Sequence, residues 1–390
     1  MNMDYRKIGK ESLKTSIFGF GCMRFPLLKQ ADGSTDYGMI DEPEAIRMIR
    51  YAIDNGLNYL DSGYGYHHGN SEKVIGKALQ DGYRDKVLLA TKLPVWQTKK
   101  YEDFDRILDE QLSRLQTDTV DFYLLHALNE QNWHKVKDLG VLDFLEKARQ
   151  SGKIRHIGFS FHDQLSVFKE IIDSYDWDIC QIQLNLLDDH YQAGLEGMFY
   201  AAENNISVVV MEPLRGGALA SQIPADIQDI WDQAVIKRSP AEWAFRWLSD
   251  FPQVSVILSG VSTMEQLQDN IRIFADAKPF SLTKHDKALI EQVQTSYRKK
   301  IKVGCTGCNY CMPCPSGVAI PDVFSIYNHA YLFDDMANSK KKYRDLIKQK
   351  KDAGRCVSCG RCEPLCPQNI PIIEKLAEAH KVLTASDPVD

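Results

Sequence analysis

LNYLDSGYGYHHGNSEKVIGKALQDGYRDKVLLATK, residues 57–92, holds one full repeat of the pattern that decides the fold. Leu57–Asp61 is an apolar run of strand length, Ser71–Asp81 is an amphipathic segment, and Val87–Lys92 is a second strand-length run. Asn70-Ser71-Glu72 offers the helix between them a cap and a first-turn acid. Outward from this repeat the alternation continues in both directions. The strand candidates are Phe18–Met23, Leu57–Asp61, Val87–Lys92, Val120–His126, Ile154–Ser160, Ile179–Leu184, Ser207–Met211 and Val254–Leu258. The helices that follow them are Glu44–Asn55, Ser71–Asp81, Tyr101–Leu115, Leu139–Ser151, Asp163–Ser174, Gly194–Asn204, Pro240–Ser249 and Met264–Ala275. Pro240 suits a first helical position. Eight strands, each followed by a helix, predict an α/β chain folded as a (β/α)8 TIM barrel. A Rossmann fold wants G-x-G-x-x-G opening a helix after the first strand. Here Gly19-Phe20-Gly21-Cys22-Met23-Arg24 lacks the third glycine, and no helix follows.

Around that core, Met1–Ile17 reads as a hairpin that plugs the barrel bottom. The stretch from Glu212 to Ser239 is too long for an ordinary strand-to-helix loop and reads as a functional or lid-like segment. A length of 390 residues favours two domains. The expected division is a barrel over 1–282 and a small, mainly α-helical domain over 283–390, entered through a helix at Asp286–Lys300. Pro321–Asp334 and Ser339–Ala353 are its further helix candidates, and the tail from Thr384 is expected to fray.

Eight of the ten cysteines lie in that second region, in two runs. Cys305, Cys308, Cys311 and Cys314 precede Pro315, and Cys356, Cys359, Cys362 and Cys366 precede Pro367. The second run is C-x2-C-x2-C-x3-C-P, the ferredoxin spacing for a 4Fe-4S cluster, and the first is one residue shorter before its last cysteine. Structural zinc uses separated pairs, and disulfides between cysteines three apart are geometrically awkward. Two 4Fe-4S clusters are therefore expected. In two-cluster ferredoxins the fourth cysteine of each run ligates the other cluster. That rule pairs Cys305, Cys308 and Cys311 with Cys366, and Cys356, Cys359 and Cys362 with Cys314; the shortened first run loosens it.

A net charge of −6 gives no reason to expect nucleic acid or an anionic membrane as partner. No apolar stretch approaches the roughly 20 residues needed to span a bilayer. The start has no apolar signal core, so cytoplasm is the expected compartment, and thiolate-bound clusters suit it.

Barrel enzymes work at the C-terminal ends of their strands. Read in order, those ends give Asp61, Lys92, His126, Ser160, Gln181 to Asn185, Met211 to Leu214, and Ser259-Gly260, with Tyr66 on the loop above Asp61. Each alone has an ordinary reading: a turn-forming acid, a solvated strand end, a loop histidine, a capping serine. Three successive strands ending in ionisable residues make a more specific pattern.

Over about Tyr5 to Ala275 the chain resembles the aldo-keto reductase superfamily. The resemblance is carried by Leu60-Asp61-Ser62-Gly63-Tyr64-Gly65-Tyr66, Ser71-Glu72, Ala90-Thr91-Lys92 and Asp121-Phe122-Tyr123-Leu124-Leu125-His126. Gly152 to Ser160, Gln181-Ile182-Gln183-Leu184-Asn185, Pro213-Leu214, Gln266 and Asn270 extend it. The whole chain resembles the branch with a C-terminal ferredoxin-like domain. This implies a catalytic tetrad of Asp61, Tyr66, Lys92 and His126. It also implies a nicotinamide cofactor, NADP or NAD. Ser160 and Gln181, with Asn185 beside them, would hold its carboxamide, and Gln266 and Asn270 would meet its adenosine end. Met211 stands where many members stack an aromatic ring. Ser259-Gly260-Val261-Ser262 carries no lysine or arginine for a 2′-phosphate, which leaves NADH open.

In that frame Tyr66 is the proton donor to a carbonyl oxygen, Lys92 lowers the tyrosine's pKa, Asp61 holds Lys92, and His126 orients the carbonyl. Phe25 and Trp96 are expected to line a partly apolar pocket. The reading is NAD(P)H-dependent interconversion of a small-molecule carbonyl and alcohol, with clusters for electron transfer or structure. The alternative is a nicotinamide-binding redox sensor with little turnover. The basic stretch Ser339–Arg355 suggests an acidic electron carrier, a ferredoxin or flavodoxin, as partner.

Overall fold

The computed structural model describes residues 3–30, 33–221, 223–305, 307, 310–366 and 368–385. Its strands are β1 (Tyr5–Ile8), β2 (Leu13–Ser16), β3 (Phe18–Gly21), β4 (Leu27–Lys29), β5 (Thr35–Ile40), β6 (Tyr59–Asp61), β7 (Leu88–Leu93), β8 (Val120–Leu128), β9 (Ile154–Phe161), β10 (Ile179–Gln183), β11 (Ser207–Met211) and β12 (Val254–Ser259). β3 and β6 to β12 pair in parallel, each with the next in sequence, and β12 closes on β3. The eight strands read from the sequence are the staves of this closed barrel.

The interior is filled by side chains. Tyr59, Ala90, Phe122, Leu124, Ile179, Val209, Val256 and Leu258 pack in one buried cluster. The antiparallel pair β1–β2 plugs it, with Ile8 fully buried in the same cluster. Where β3 meets β12 there is no room for a side chain. A Cβ on Gly19 would stand 2.5 Å from Val256 and 2.8 Å from Leu258. The first glycine of the Rossmann-like string, Gly19, therefore serves barrel closure.

Closing a sheet demands a stagger between neighbouring strands, and the register supplies it. Asp61 pairs with Ala90, two residues below Lys92; Lys92 pairs with Leu124, two residues below His126. Side chains two apart share a face. Asp61, Lys92 and His126 thus climb like a stair along the inner face of the mouth.

Two features departed from expectation. The first strand-to-helix loop carries a hairpin of its own, β4–β5, and a helix, Glu130–Asp138, precedes Val141–Gln150.

By contacts the chain forms two compact units, Met1–Arg215 with Ala241–Leu282, and Gly216–Pro240 with Thr283–Asp390. In the second unit, helix Lys284–Lys300 opens with a reciprocal cap between Thr283 and Asp286. Helices Ile320–Leu332, Met336–Lys348 and Ile372–Thr384 surround a core of Val323, Phe324, Tyr327, Tyr343 and Leu376. The last helix ends at Thr384, where the tail expected to fray begins; residues 386–390 of that tail lie outside the described residues. Gly216–Pro240 joins this unit through helix Ala225–Trp231: Asp226 accepts from Ser296 at 3.0 Å and pairs with Lys300 at 3.0 Å. Among the described residues no helix is long and apolar enough to cross a membrane.

Candidate active site

The charged centre lies at the barrel mouth. Lys92, 1% exposed, donates to Asp61 Oδ1 at 2.5 Å, to the Ser62 carbonyl at 2.6 Å and to Tyr66 Oη at 3.4 Å. The Tyr66 ring meets His126 edge-on, with centroids 5.7 Å apart. Trp96 also stands against His126, with ring centroids 5.0 Å apart, and is 46% exposed. Phe25, the other residue expected to line the pocket, is buried, stacked on His67 and tilted against Phe20.

Burial and charge set the protonation states. Burial pushes the Tyr66 phenol up; Lys92 pulls it back, and Asp61 adds an upward push, so the net direction is up. Lys92 therefore moderates a rise instead of producing a net fall, and Tyr66 carries its proton at neutral pH. Burial opposes the charge on Lys92, but Asp61 and Tyr66 outweigh it and hold the ammonium above its ordinary range. Burial raises Asp61 against the pull of Lys92. Burial, with Lys92 and His162, drives His126 well below the usual histidine range. It is neutral at pH 7, and its Nδ1 is buried without a partner among the described residues.

Several residues that sequence reasoning missed brace this centre. Glu72, fully buried, accepts from Thr91 Oγ1 at 2.6 Å, Gln111 Nε2 at 2.7 Å and Arg114 Nη1 at 3.2 Å. Gln111 also donates to the Lys92 carbonyl at 3.1 Å, and Arg114 to the Tyr64 carbonyl at 3.1 Å. One helix, Glu102–Leu115, thereby fixes the strand of Lys92 and the loop of Tyr66. His67, next to Tyr66, ties that loop to the β4–β5 hairpin. Its Nε2 accepts from the Phe25 amide at 3.2 Å, so its Nδ1 donates to the Tyr37 carbonyl at 2.7 Å. His67 and His68 both take the left-handed backbone region (φ 51° and 55°), which L-residues rarely occupy without support.

The other expected site residues divide by orientation. Ser160 and Gln181 are paired across β9 and β10, buried on the inner face. Ser160 Oγ accepts from the Ala127 amide at 2.7 Å, so it joins strand ends and does not cap the following helix. Gln181 Oε1 is a buried acceptor without a partner among the described residues. Such an orphan fits the amide of a nicotinamide. Asn185 is spent on its own loop: it donates to Asp188 Oδ2 and the Glu212 carbonyl, and accepts from the Leu187 and Asp188 amides. Met211, half-buried, ends β11; Pro213 is buried and Leu214 half-buried beyond it. Ser259 faces outward, away from the inward Leu258, and its Oγ accepts from Asn270 at 3.0 Å. Gln266 Oε1 accepts from the Ser262 amide at 2.9 Å. Gly260 is exposed beside them.

In the second unit Cys305, Cys311, Cys314, Cys356, Cys362 and Cys366 edge the hydrophobic core, and Cys359 is exposed; Cys308 lies outside the described residues. No described cysteine is in a disulfide. Gly307 N donates to Cys305 Sγ at 3.4 Å, and burial raises the Cys362 thiol, with Cys356 and Cys359 adding to the rise. Among the described residues no group of three or more Cys, His, Asp or Glu side chains is gathered tightly enough to hold a metal ion. Neighbouring side chains hold the runs. Asn328 bonds the Lys302 and Val303 amides ahead of the first, and Tyr343 Oη meets the Ala353 amide and His380 ahead of the second.

Comparison with known proteins agrees with this geometry. Residues 19–294 match the model of the aldo/keto reductase family. The chain belongs to that family. Residues 304–370 match a 4Fe-4S dicluster domain, so this family member carries an iron-sulfur domain at its C-terminal side. Aldo-keto reductase YhdN of Bacillus subtilis (strain 168) is 29% identical over 231 residues, which span 57% of this chain and 65% of that protein. NADH-specific methylglyoxal reductase of Escherichia coli (strain K12) is 25% identical over 281 residues, 60% of this chain and 83% of that protein. Among solved structures, the holo form of aldo-keto reductase AKR11C1 from Bacillus halodurans aligns with a TM-score of 0.62 at 25% identity, covering 75% of this chain and 96% of that one. The chain is an oxidoreductase of this family.

Proposed function

We propose that the barrel reduces a small carbonyl compound, and oxidises the matching alcohol, with a nicotinamide dinucleotide bound across the mouth. The observation that carries this is Lys92, buried between Asp61 and the Tyr66 hydroxyl, with His126 alongside. When bound, the cofactor supplies or takes up hydride, which no side chain can do. The chain's own residues handle the proton. Neutral His126 donates a hydrogen bond to the carbonyl oxygen and orients it. Tyr66 gives its proton to that oxygen as negative charge builds there. Lys92 stabilises the phenolate left behind, and solvent reprotonates it. Asp61 keeps Lys92 charged and in place. Gln181 Oε1 and Ser160 hold the nicotinamide amide, and Asn185 shapes the loop beside it.

Conversion of Tyr66→Phe tests this reading. Carbonyl reduction should fall by about 10²–10⁴-fold, the usual worth of general acid catalysis, while nicotinamide affinity stays near the wild-type value. A loss below about tenfold would remove Tyr66 as proton donor. An absence of turnover on every carbonyl tried, with intact nicotinamide binding, would favour the redox-sensor alternative.

The second unit, in this reading, holds two 4Fe-4S clusters and exchanges single electrons with a small acidic carrier protein in the cytoplasm. The docking face is drawn more narrowly than Ser339–Arg355. Lys340 is buried, leaving Lys341, Lys342, Arg344 and Lys348 exposed on that helix. Beside the exposed Cys359, Val357 and Leu365 are 68% and 56% exposed, with Arg355 and Arg361 exposed around them. An apolar centre with a basic rim suits an acidic partner. Electron transfer from a reduced acidic ferredoxin should slow with added salt and on reversing Arg355 and Arg361 to glutamate; a rate indifferent to both removes this face.

A further inference from the structure

We propose that Arg24 selects the 2′-phosphate of NADPH, an inference that rests on the dinucleotide reading above. The loop after β12 has no cation of its own, but barrel closure brings one to it. β12 pairs with β3, Ser259 opposite Phe20, and Arg24 follows β3 by three residues. The arginine stem lies across Gly260: a Cβ added there would stand 3.1 Å from each of Arg24 Cβ, Cγ and Cδ. Ser262 Oγ donates to the Arg24 carbonyl at 2.9 Å and fixes the two loops together. Arg24 is exposed, and its guanidinium has no hydrogen bond or ion pair among the described residues.

The other polar groups of this wall are engaged. Gln266 Oε1 holds the Ser262 amide, Thr263 Oγ1 holds the Gln266 amide, and Asn270 holds Ser259. Arg47 is held by Glu44 at 2.6 Å, and Arg272 by Glu242 and Asp269. Arg24 is therefore a cation held beside Gln266 and Asn270, the residues that the family resemblance assigns to the adenosine end, with its donors uncommitted. A planar guanidinium binds a phosphate dianion through two parallel hydrogen bonds. The 2′-hydroxyl of NADH offers it one neutral oxygen.

Calorimetric titration of the full chain with 2′,5′-ADP and with 5′-AMP separates the outcomes without turnover. Wild-type protein should bind 2′,5′-ADP about 10- to 100-fold tighter, the range of a charge-assisted pair, with the advantage shrinking in salt. Arg24→Ala should abolish that advantage and leave 5′-AMP unchanged, and Arg24→Lys should keep part of it. Retention of the preference in Arg24→Ala, or equal binding of both nucleotides to wild type, overturns the role of Arg24 alone. Equal weakening of both nucleotides makes it a ligand of the shared 5′-phosphate and likewise overturns specificity. No binding of either nucleotide to wild-type protein overturns the dinucleotide reading and this inference with it.

Discussion

Lys92 at the barrel mouth is 1% exposed and tied to three oxygens, whereas Cys359 in the second unit is exposed on a stretch without helix or strand. The first centre is complete in its own side chains: burial, ion pair and hydrogen bonds agree on one arrangement. In the second, the described cysteines lie outside disulfides on short loops, with Asn328 and Tyr343 bonding the Val303 and Ala353 amides just ahead of the two runs. One region is organised by packing before any cofactor arrives. For the other, with its own hydrophobic core, the expectation is that bound metal adds part of the folding energy.

The sharpest way to break that contrast is at Lys92. Lys92→Met should lower carbonyl reduction at least as far as Tyr66→Phe, and it leaves Asp61 buried beside no cation. Breaking a buried pair costs about 3–5 kcal/mol, so the barrel's thermal transition should drop. The double change Lys92→Met with Asp61→Leu should recover most of the stability and none of the activity. Calorimetry and turnover on the same preparations check both.

The next effect belongs to the cysteine loops. Anaerobic wild-type protein should carry about eight irons per chain, and Cys359→Ser about four. Its second unit should lose stability while the barrel's transition stays in place. Iron counts alongside scanning calorimetry decide this; a variant that unfolds the barrel equally would erase the contrast between the two regions.

The smallest expected effect is one of pH. His67, His126 and His162 are all depressed below the usual histidine range, burial being the largest cause in each. The unfolded chain therefore binds protons that the folded barrel refuses. Stability contributed by keeping these rings neutral is full above the unfolded pKa of about 6.5 and is lost as pH falls from there toward the folded values. Each histidine contributes a slope of at most about 1.4 kcal/mol per pH unit. His126→Gln should flatten the fall, as read from melting temperature between neutral and mildly acidic buffers.

The barrel was legible because parallel strands buried on both faces leave apolar runs, and the helices between them keep a clear period. The cluster of Asp61, Lys92 and His126 was legible because the stagger puts these residues at successive strand ends. What escaped had no periodic signal. The β4–β5 hairpin is six plus three residues with a mixed pattern. Glu72, Gln111 and Arg114 are polar residues of ordinary helices whose convergence depends on packing. Arg24 meets Gly260 only because the first and last staves adjoin, so the cation missing from one loop arrives from the other end of the barrel sequence. The net pKa of Tyr66 was misjudged because burial, the largest influence, cannot be read from the neighbouring charges alone.

The helix Ala225–Trp231 has a consequence for modularity. Its residues Ile227 and Trp231 are buried, and the helix packs on Lys284–Lys300. The iron-sulfur unit therefore draws on two separate stretches of chain, one of them an insertion between the last two strands of the barrel. A stop codon after Leu282 would not release a finished reductase. It would strand the apolar face of that helix, Ile227 and Trp231, without its companion, an aggregation liability. Moving the iron-sulfur unit onto another reductase would require transplanting the inserted loop together with the C-terminal segment.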